Sequence, residues 1–269
     1  MARISRIPGK RPPEKQPPGK RPAGTSRAAW VFIAAIVLLW QGASAARLVP
    51  PYMLPGPLDV VLAFIRDFPL LAGHLGYTLF EAAAGLALSI LAAFVLAVTM
   101  DALPFIRASV TPVLLLTQTM PTIAIAPLLV LWMGYGAAPK IALVFLTCFF
   151  PLTIALLGGL SQADSDAVKL LQSMGARKAQ VYRYIKLPQA VPAFFSGLRI
   201  SASYAIVGAL ISEWLGGKAG LGVYMTRVRK SYSFDRMFAV ILLTSVLSLC
   251  LMKLVSCLEK AATPWNRGA

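Results

Sequence analysis

Three acidic side chains stand inside or against the apolar stretches of this 269-residue chain: Glu81, Asp101 and Glu213. An ionisable group deep in a membrane is costly and usually handles a proton or an ion, so these are the first candidates for chemistry. Glu81 falls several residues into one apolar block, Asp101 at its end, and Glu213 closes another beside Trp214. That Glu-Trp pair reads either as interfacial anchoring, Trp being a belt residue, or as part of an outer gate. Cys148, Cys250 and Cys257 lie in apolar runs without CxxC spacing and read as small packing residues. The single His74 precedes an apolar run and reads as exposed or interfacial, and no metal site can be built from this set. A phosphate-binding loop needs Gly, four residues, Gly-Lys, then Ser or Thr. The Gly-Lys pairs at 9–10, 19–20 and 217–218 are followed by Arg, Arg and Ala, so no nucleotide or other cofactor is expected on this chain.

The elements that would position these residues are membrane helices. Hydrophobic residues make up 58% of the chain and charged residues 13%, against about 45–50% and 25% in soluble domains. Apolar blocks at 28–46, 76–100, 108–133, 138–159, 197–216 and 237–257 are each long enough to cross the hydrocarbon core, so about six spans are expected. The blocks are continuous, whereas barrel strands would alternate. The formal net charge of +16 follows topology better than nucleic-acid binding. With the N-terminus inside, 18 of the 26 Lys and Arg residues fall on the cytoplasmic side, including both termini and the 160–196 segment. The exception is the outer 218–236 loop with Arg227, Arg229 and Lys230.

Residues 1–27, rich in Pro, Gly, Lys and Arg, are expected to form a disordered basic tail that can touch anionic lipid, and 261–269 a short cytoplasmic one. GASAAR after the first block resembles a signal-peptidase site, but the block is long enough for a span and reads as an uncleaved anchor. Residues 50–73 read as a Pro-rich outer segment whose amphipathic turns, with Val60, Val61, Phe64 and Ile65 on one side, lie flat at the interface. Pro112, Pro121, Pro127 and Pro151 each remove a backbone donor from a span. With Thr117, Gln118 and Thr119 nearby they mark either ordinary kinks in a packed bundle or the broken helices of a translocation path. Gln118, Thr119, Pro121, Tyr204, Glu213 and Trp214 are the path candidates. No internal repeat supports a carrier built from inverted halves.

One stretch is unlike the rest: DAVKLLQSMGARKAQVYRYIKLP at 166–188, lightly apolar and studded with Lys and Arg. Ala167, Leu170, Leu171 and Met174 recur at helical spacing, Gly175 stops that helix, and a second runs from about Ala176 to Leu187, closed by Pro188. Val181, Tyr184 and Ile185 make its apolar face. Short helices are marginal alone, so the pair must dock on this chain's own spans or on another subunit.

At these residues the chain resembles the permease subunits of bacterial ABC-type importers, whose cytoplasmic signature is EAA, three residues, Gly, nine residues, then IxLP. Gly175 is followed by nine residues and Ile185-Lys186-Leu187-Pro188. The EAA positions hold Lys169, Leu170 and Leu171, so the usual acid is absent. The resemblance spans about 50–260. LPGP, LLLTQTMPTIAIAPLLVLWMGYG and PAFFSGLRISASYAIVGALISEWLGGKAGLG are similar to the branch carrying nitrate, sulfonate, taurine and thiamine-precursor pyrimidines.

The resemblance implies an all-α membrane protein of the type I importer permease fold, with a permease domain over 28–260 and a coupling hairpin at about 161–195. It implies that Asp166, Lys169, Leu170, Met174, Gly175, Ala176, Lys178, Ile185, Leu187 and Pro188 couple the spans to a separate ATPase that binds the ATP. The implied partners are two ATPase copies, a periplasmic or extracellular binding protein and a second permease copy, in the bacterial cytoplasmic membrane. The SEWLGG and GLGVYM segments point to a hydroxymethylpyrimidine-type thiamine precursor as solute. The alternatives are a sulfonate-, taurine- or nitrate-type importer, a stand-alone secondary transporter, and a membrane anchor without transport. The outer loops at 47–74 and 217–236, with Lys218, Arg227, Arg229, Lys230 and Arg236, are where the binding protein would dock.

Overall fold

The computed structural model describes residues 25–264, Leu48 and Pro51 excepted, with side chains from Trp30 onward. Of the expected disordered basic tail at 1–27, residues 1–24 lie outside them, as do 265–269, while Thr25, Ser26 and Arg27 begin the first helix. Ten α-helices follow in order: α1 Thr25–Ala45, α2 Pro57–Ala102, α3 Pro104–Thr119, α4 Thr122–Met133, α5 Ala138–Ser161, α6 Ser165–Ser173, α7 Lys178–Val181, α8 Leu187–Trp214, α9 Leu221–Lys230 and α10 Phe234–Ala262. A π-helical turn, Tyr182–Lys186, joins α7 to α8. No strand occurs among the described residues.

Among the described residues four helices are long and apolar enough to cross a membrane: α2, α5, the continuous Lys178–Trp214 helix and α10. The expected single span at 108–133 is two helices, α3 and α4, bent by 99° at Met120–Pro121. Pro121 cannot donate to the carbonyl a turn back, and Met120 turns extended instead, its N–H reaching the Thr117 carbonyl at 3.4 Å. Pro112, Pro127, Pro151 and Pro192 stay inside their helices, so a missing donor alone does not decide a break. The described apolar part of α1, Trp30–Ala45, is shorter than a full span.

Residues 57–73 are not a separate segment. They run without interruption into the expected 76–100 span as the 46-residue α2, which at 1.5 Å per residue is roughly 70 Å, twice the hydrocarbon core. Its first half packs Leu71 against Leu221, Tyr224, Met225 and Val228 of α9 and Val240 of α10. Of the expected interfacial face, Val60 is buried, while Val61 and Ile65 are exposed.

The centre of the bundle is α5 sandwiched between α2 and α8. Between lipid-embedded helices the gain comes from close packing and hydrogen bonds, which small residues permit. Gly85 of α2 lies where an added Cβ would stand 2.5 Å from the Val144 Cβ, and Gly197 of α8 likewise faces the Ala155 Cβ. Ser89 donates to the Phe145 carbonyl (3.0 Å), and Ser201 and Cys148 each donate to the other's carbonyl (3.2 Å). Cys148 therefore packs as expected. Cys250 and Cys257 do not: both are exposed on α10.

Candidate functional site

The hairpin forms where its residues put it. Asp164 caps α6, its carboxylate accepting from the Asp166 (2.9 Å) and Ala167 (3.5 Å) amides, as N-cap acids do. Gly175 ends it at φ +82°. The Ala176 N–H reaches Leu171 O (3.1 Å) and the Gly175 N–H reaches Gln172 O (2.9 Å). That pair is the Schellman closure, which needs a left-handed residue at this position. The second limb differs from expectation. Pro188 does not close it: the chain continues as one helix from Lys178 to Trp214, and the π turn directly before the proline, where the Leu187 N–H reaches back to Tyr182 O, takes up the missing donor.

The ten coupling candidates divide in two. Asp166, Lys169, Leu170, Met174, Gly175 and Lys178 are exposed, while Ala176, Ile185, Leu187 and Pro188 are half-buried against the bundle. No residue of α6 is buried, and Leu170 and Met174 are 65% and 74% exposed. In the second limb Val181 is buried but Tyr184 points out, 64% exposed, because the π turn rotates the register that a regular helix would keep.

That turn carries an anchor the hairpin pattern alone does not show. The Asp101 carboxylate, at the end of α2, accepts from the Tyr182 hydroxyl (2.5 Å) and the Lys186 Nζ (2.6 Å). The Asp101 side chain is 5% exposed, and Lys186 also lies over the Tyr182 ring. The Asp164 N–H donates to Gln189 Oε1 (2.9 Å), tying the hairpin's first limb to α8. The signal in the sequence was an acid at the end of a span and a Lys inside the IxLP motif; nothing local pairs residues 85 apart.

At the other end of the bundle lies a second group of charges. Lys140 of α5 donates to Glu81 Oε1 of α2 (2.7 Å), both side chains about 5% exposed. Glu213 of α8 accepts from Thr78 Oγ1 (2.7 Å) and from the Gly222 N–H (2.5 Å). The Gly220 N–H donates to His74 Nδ1 (3.0 Å). His74 is thus buried, not interfacial, and Glu213 is buried too, joining α8 to Thr78 of α2 and to the Gly222 amide in the first turn of α9. Asp67 accepts from the Tyr224 hydroxyl (2.6 Å) and pairs with Arg236 (3.1 Å). Burial, and then the hydrogen bond to Asp67, push the Tyr224 phenol above its ordinary pKa, so it stays a donor. Of the loop cations, Lys218, Arg227, Arg229 and Lys230 are exposed.

Between α3–α4, α5 and α8 lies a cavity of about 510 Å³, within the range of small-molecule sites. Thr117, Gln118 and Thr122 at the helix break, Thr147 and Phe150 of α5, and Tyr204 of α8 are among its walls. Of the path candidates it brings together Gln118 and Tyr204. Thr119 turns its hydroxyl to the Leu116 carbonyl (2.7 Å), Pro121 supplies the break, and Trp214 is half-exposed at the far end of α8. Glu213 stands nine residues from Tyr204, which at 100° per residue is the opposite face of the helix. Sequence reasoning missed Thr122, Thr147 and Phe150, whose convergence depends on how α5 packs.

A membrane bundle with an open cleft between its helices and a projecting hairpin fits a permease, the membrane-spanning subunit of an ABC importer. Residues 85–263 match the model of the binding-protein-dependent transport system inner membrane component family, and the chain belongs to that family. It is 34% identical over 238 residues, 88% of this chain and 95% of the relative, to the formylaminopyrimidine transport permease protein ThiX of Halalkalibacterium halodurans. It is 27% identical over 241 residues, 87% and 88% of the two chains, to the taurine transport system permease protein TauC of Escherichia coli. Among solved structures, an amino acid ABC transporter crystallised with histidines shares the fold, with a TM-score of 0.62 at 17% identity over 74% of this chain and 97% of that one.

Proposed function

We propose that this permease carries a small solute, handed over by a binding protein outside the cell, through a path built by residues 28–260, driven by an ATPase docked on the hairpin. The observation that carries the reading is α6 itself. It presents Leu170 and Met174 to the outside with no residue of its own buried, while the second limb is continuous with α8 and pinned to α2. A rigid element that faces away from the bundle yet cannot move without two spans suits a docking helix, since a partner shifts a conformational equilibrium only through contacts that differ between states. Asp166, Lys169, Leu170, Met174 and Lys178 are the contact residues; Gly175, Ala176, Ile185, Leu187 and Pro188 set the turn and seat.

The assembly this reading implies holds two permease copies and two ATPase copies, with the N-terminus and hairpin in the cytoplasm. The exposed Lys218, Arg227, Arg229 and Lys230 then meet the binding protein at the opposite end. The solute that fits best is a hydroxymethylpyrimidine-type thiamine precursor, supported by the 34% identity to a formylaminopyrimidine permease; the 27% identity to a taurine permease supports a sulfonate as second choice.

The test is a pull-down of the tagged permease from mild detergent, wild type against Gly175→Pro. Proline requires φ near −65°, where this position stands at +82°. Recovery of an ATPase with the wild type and its loss with a variant that still folds supports the reading. A folded wild type that brings down no ATPase refutes it and puts a stand-alone carrier in its place.

A further inference from the structure

The cavity between α3–α4, α5 and α8 has a property that bears on the solute: none of its walls is charged. The four helices around it carry only Arg107, Lys140, Arg199 and Glu213, and none of the four lines it. Three are already engaged elsewhere: Lys140 with Glu81, Glu213 with Thr78 and Gly222, and Arg199 with Glu259 (3.4 Å). Arg107 lies ten residues from Thr117 along α3, roughly 15 Å away. The break places the carbonyl end of α3 beside the amide end of α4, whose N-cap Pro121 offers no side-chain acceptor. Half-charges of opposite sign set side by side cancel as a monopole and leave local donors and acceptors.

Three polar side chains in the wall make no hydrogen bond among the described residues: the Gln118 amide and the Thr122 and Tyr204 hydroxyls. Thr117 and Thr147 are spent on their own helices, at Leu114 O and Val144 O. The other surfaces are apolar, among them Ile125, Leu146, Phe150 and Ile211. Such a space has partners for a flat ring with an amide-like edge: aromatic and aliphatic faces for the ring, an amide and a hydroxyl for the edge. It has nothing to compensate a full charge, which is costly to hold away from water without a counter-charge.

We propose that this cavity is a solute site within the permease for an uncharged, planar, hydrogen-bonding heterocycle, and that it rejects anions and zwitterions such as sulfonates. The proposal rests on the permease reading and deepens it, because it chooses between the two solute classes. Tyr204 and Phe150 hold the ring and Gln118 reads its edge.

The test uses the permease purified with its ATPase in lipid nanodiscs, without binding protein, so that selectivity belongs to the membrane subunit. Ile200→Cys in a Cys250→Ala, Cys257→Ala background places a thiol in the cavity wall, and Leu131→Cys places one on α4 outside it. Maleimide labelling is timed with hydroxymethyl-aminopyrimidine, cytosine, taurine, methanesulfonate or nitrate at equal millimolar concentration. The uncharged rings should slow labelling at residue 200 and not at 131, the ions should slow neither, and Tyr204→Ala should weaken protection about tenfold, as for one lost ring contact. Equal protection by an ion, or none by either ring, overturns the solute class while ATPase co-purification leaves the permease reading standing. Loss of the ATPase from wild type is the separate failure of that reading.

Discussion

Replacing Asp101 with Asn removes one charge from the junction of hairpin and bundle and keeps an oxygen for Tyr182. In the native protein that carboxylate neutralises Lys186 at 2.6 Å with its own side chain 5% exposed. Breaking a fully buried pair by removing one partner costs about 3–5 kcal/mol. Lys186 is 21% exposed and can turn its ammonium toward water, so the expected loss is smaller, about 1–3 kcal/mol by the same reasoning. The further change Lys186→Met removes the stranded ammonium, and the double variant should lie within about 1 kcal/mol of wild type, since an apolar replacement of both partners is often neutral. Chemical or thermal unfolding of the purified permease in detergent reads this cycle. A second readout separates anchor from mere stability. The outward face of α6 is untouched in Asp101→Asn, so the ATPase should still co-purify, while solute moved per ATP hydrolysed in proteoliposomes should fall severalfold because the hairpin no longer drags α2. Unchanged stability in the single variant, or unchanged transport per ATP in a folded one, would refute the reasoning.

Three further outcomes follow from the same geometry. Lys140→Met strands the buried Glu81 carboxylate, whose Oε2 already has no partner among the described residues; it should cost about 3–5 kcal/mol, and adding Glu81→Gln should recover much of that in the same unfolding assay. Gly85→Ala puts a Cβ 2.5 Å from the Val144 Cβ and 2.9 Å from the Ile141 carbonyl, so it should lower the unfolding midpoint by overpacking worth about 1–3 kcal/mol. Gly175→Ala meets no atom within 4 Å of the new Cβ, so its cost is backbone strain alone, about 1 kcal/mol, and Gly175→Asn should cost less because Asn tolerates the left-handed region; unfolding of the two variants side by side checks the order.

Much of the architecture was legible from pattern. Continuous apolar blocks made helices the only economical spanning structure, because every backbone group in lipid must be satisfied within its own segment. Gly175 ended α6 where its spacing said, since only a left-handed residue closes that turn. Where local rules misled, neighbours overrode them. Pro188 reads as a helix stop, yet the π turn just before it, closed by the Leu187 N–H on Tyr182 O, carries the helix through. Residues 57–73 read as a segment apart from the span, yet they continue into it as one helix, α2, with α9 and the start of α10 packed against Leu71.

By itself, then, the sequence determined what depends on composition and short spacing: a membrane-embedded helical protein, a hairpin at 161–195 that must dock, and the absence of any phosphate-binding loop motif. The tertiary structure decided the partners of its scarce charges. Asp101 with Lys186, Glu81 with Lys140 and Glu213 with Thr78 lie 59 to 135 residues apart, and no local propensity links them. Each is chosen by the cost of leaving a polar group unpaired away from water, a cost that exists only once α2, α5 and α8 have come together. The same packing leaves the walls around Gln118 and Tyr204 without charge, a property of where side chains do not go and so invisible in the order of residues.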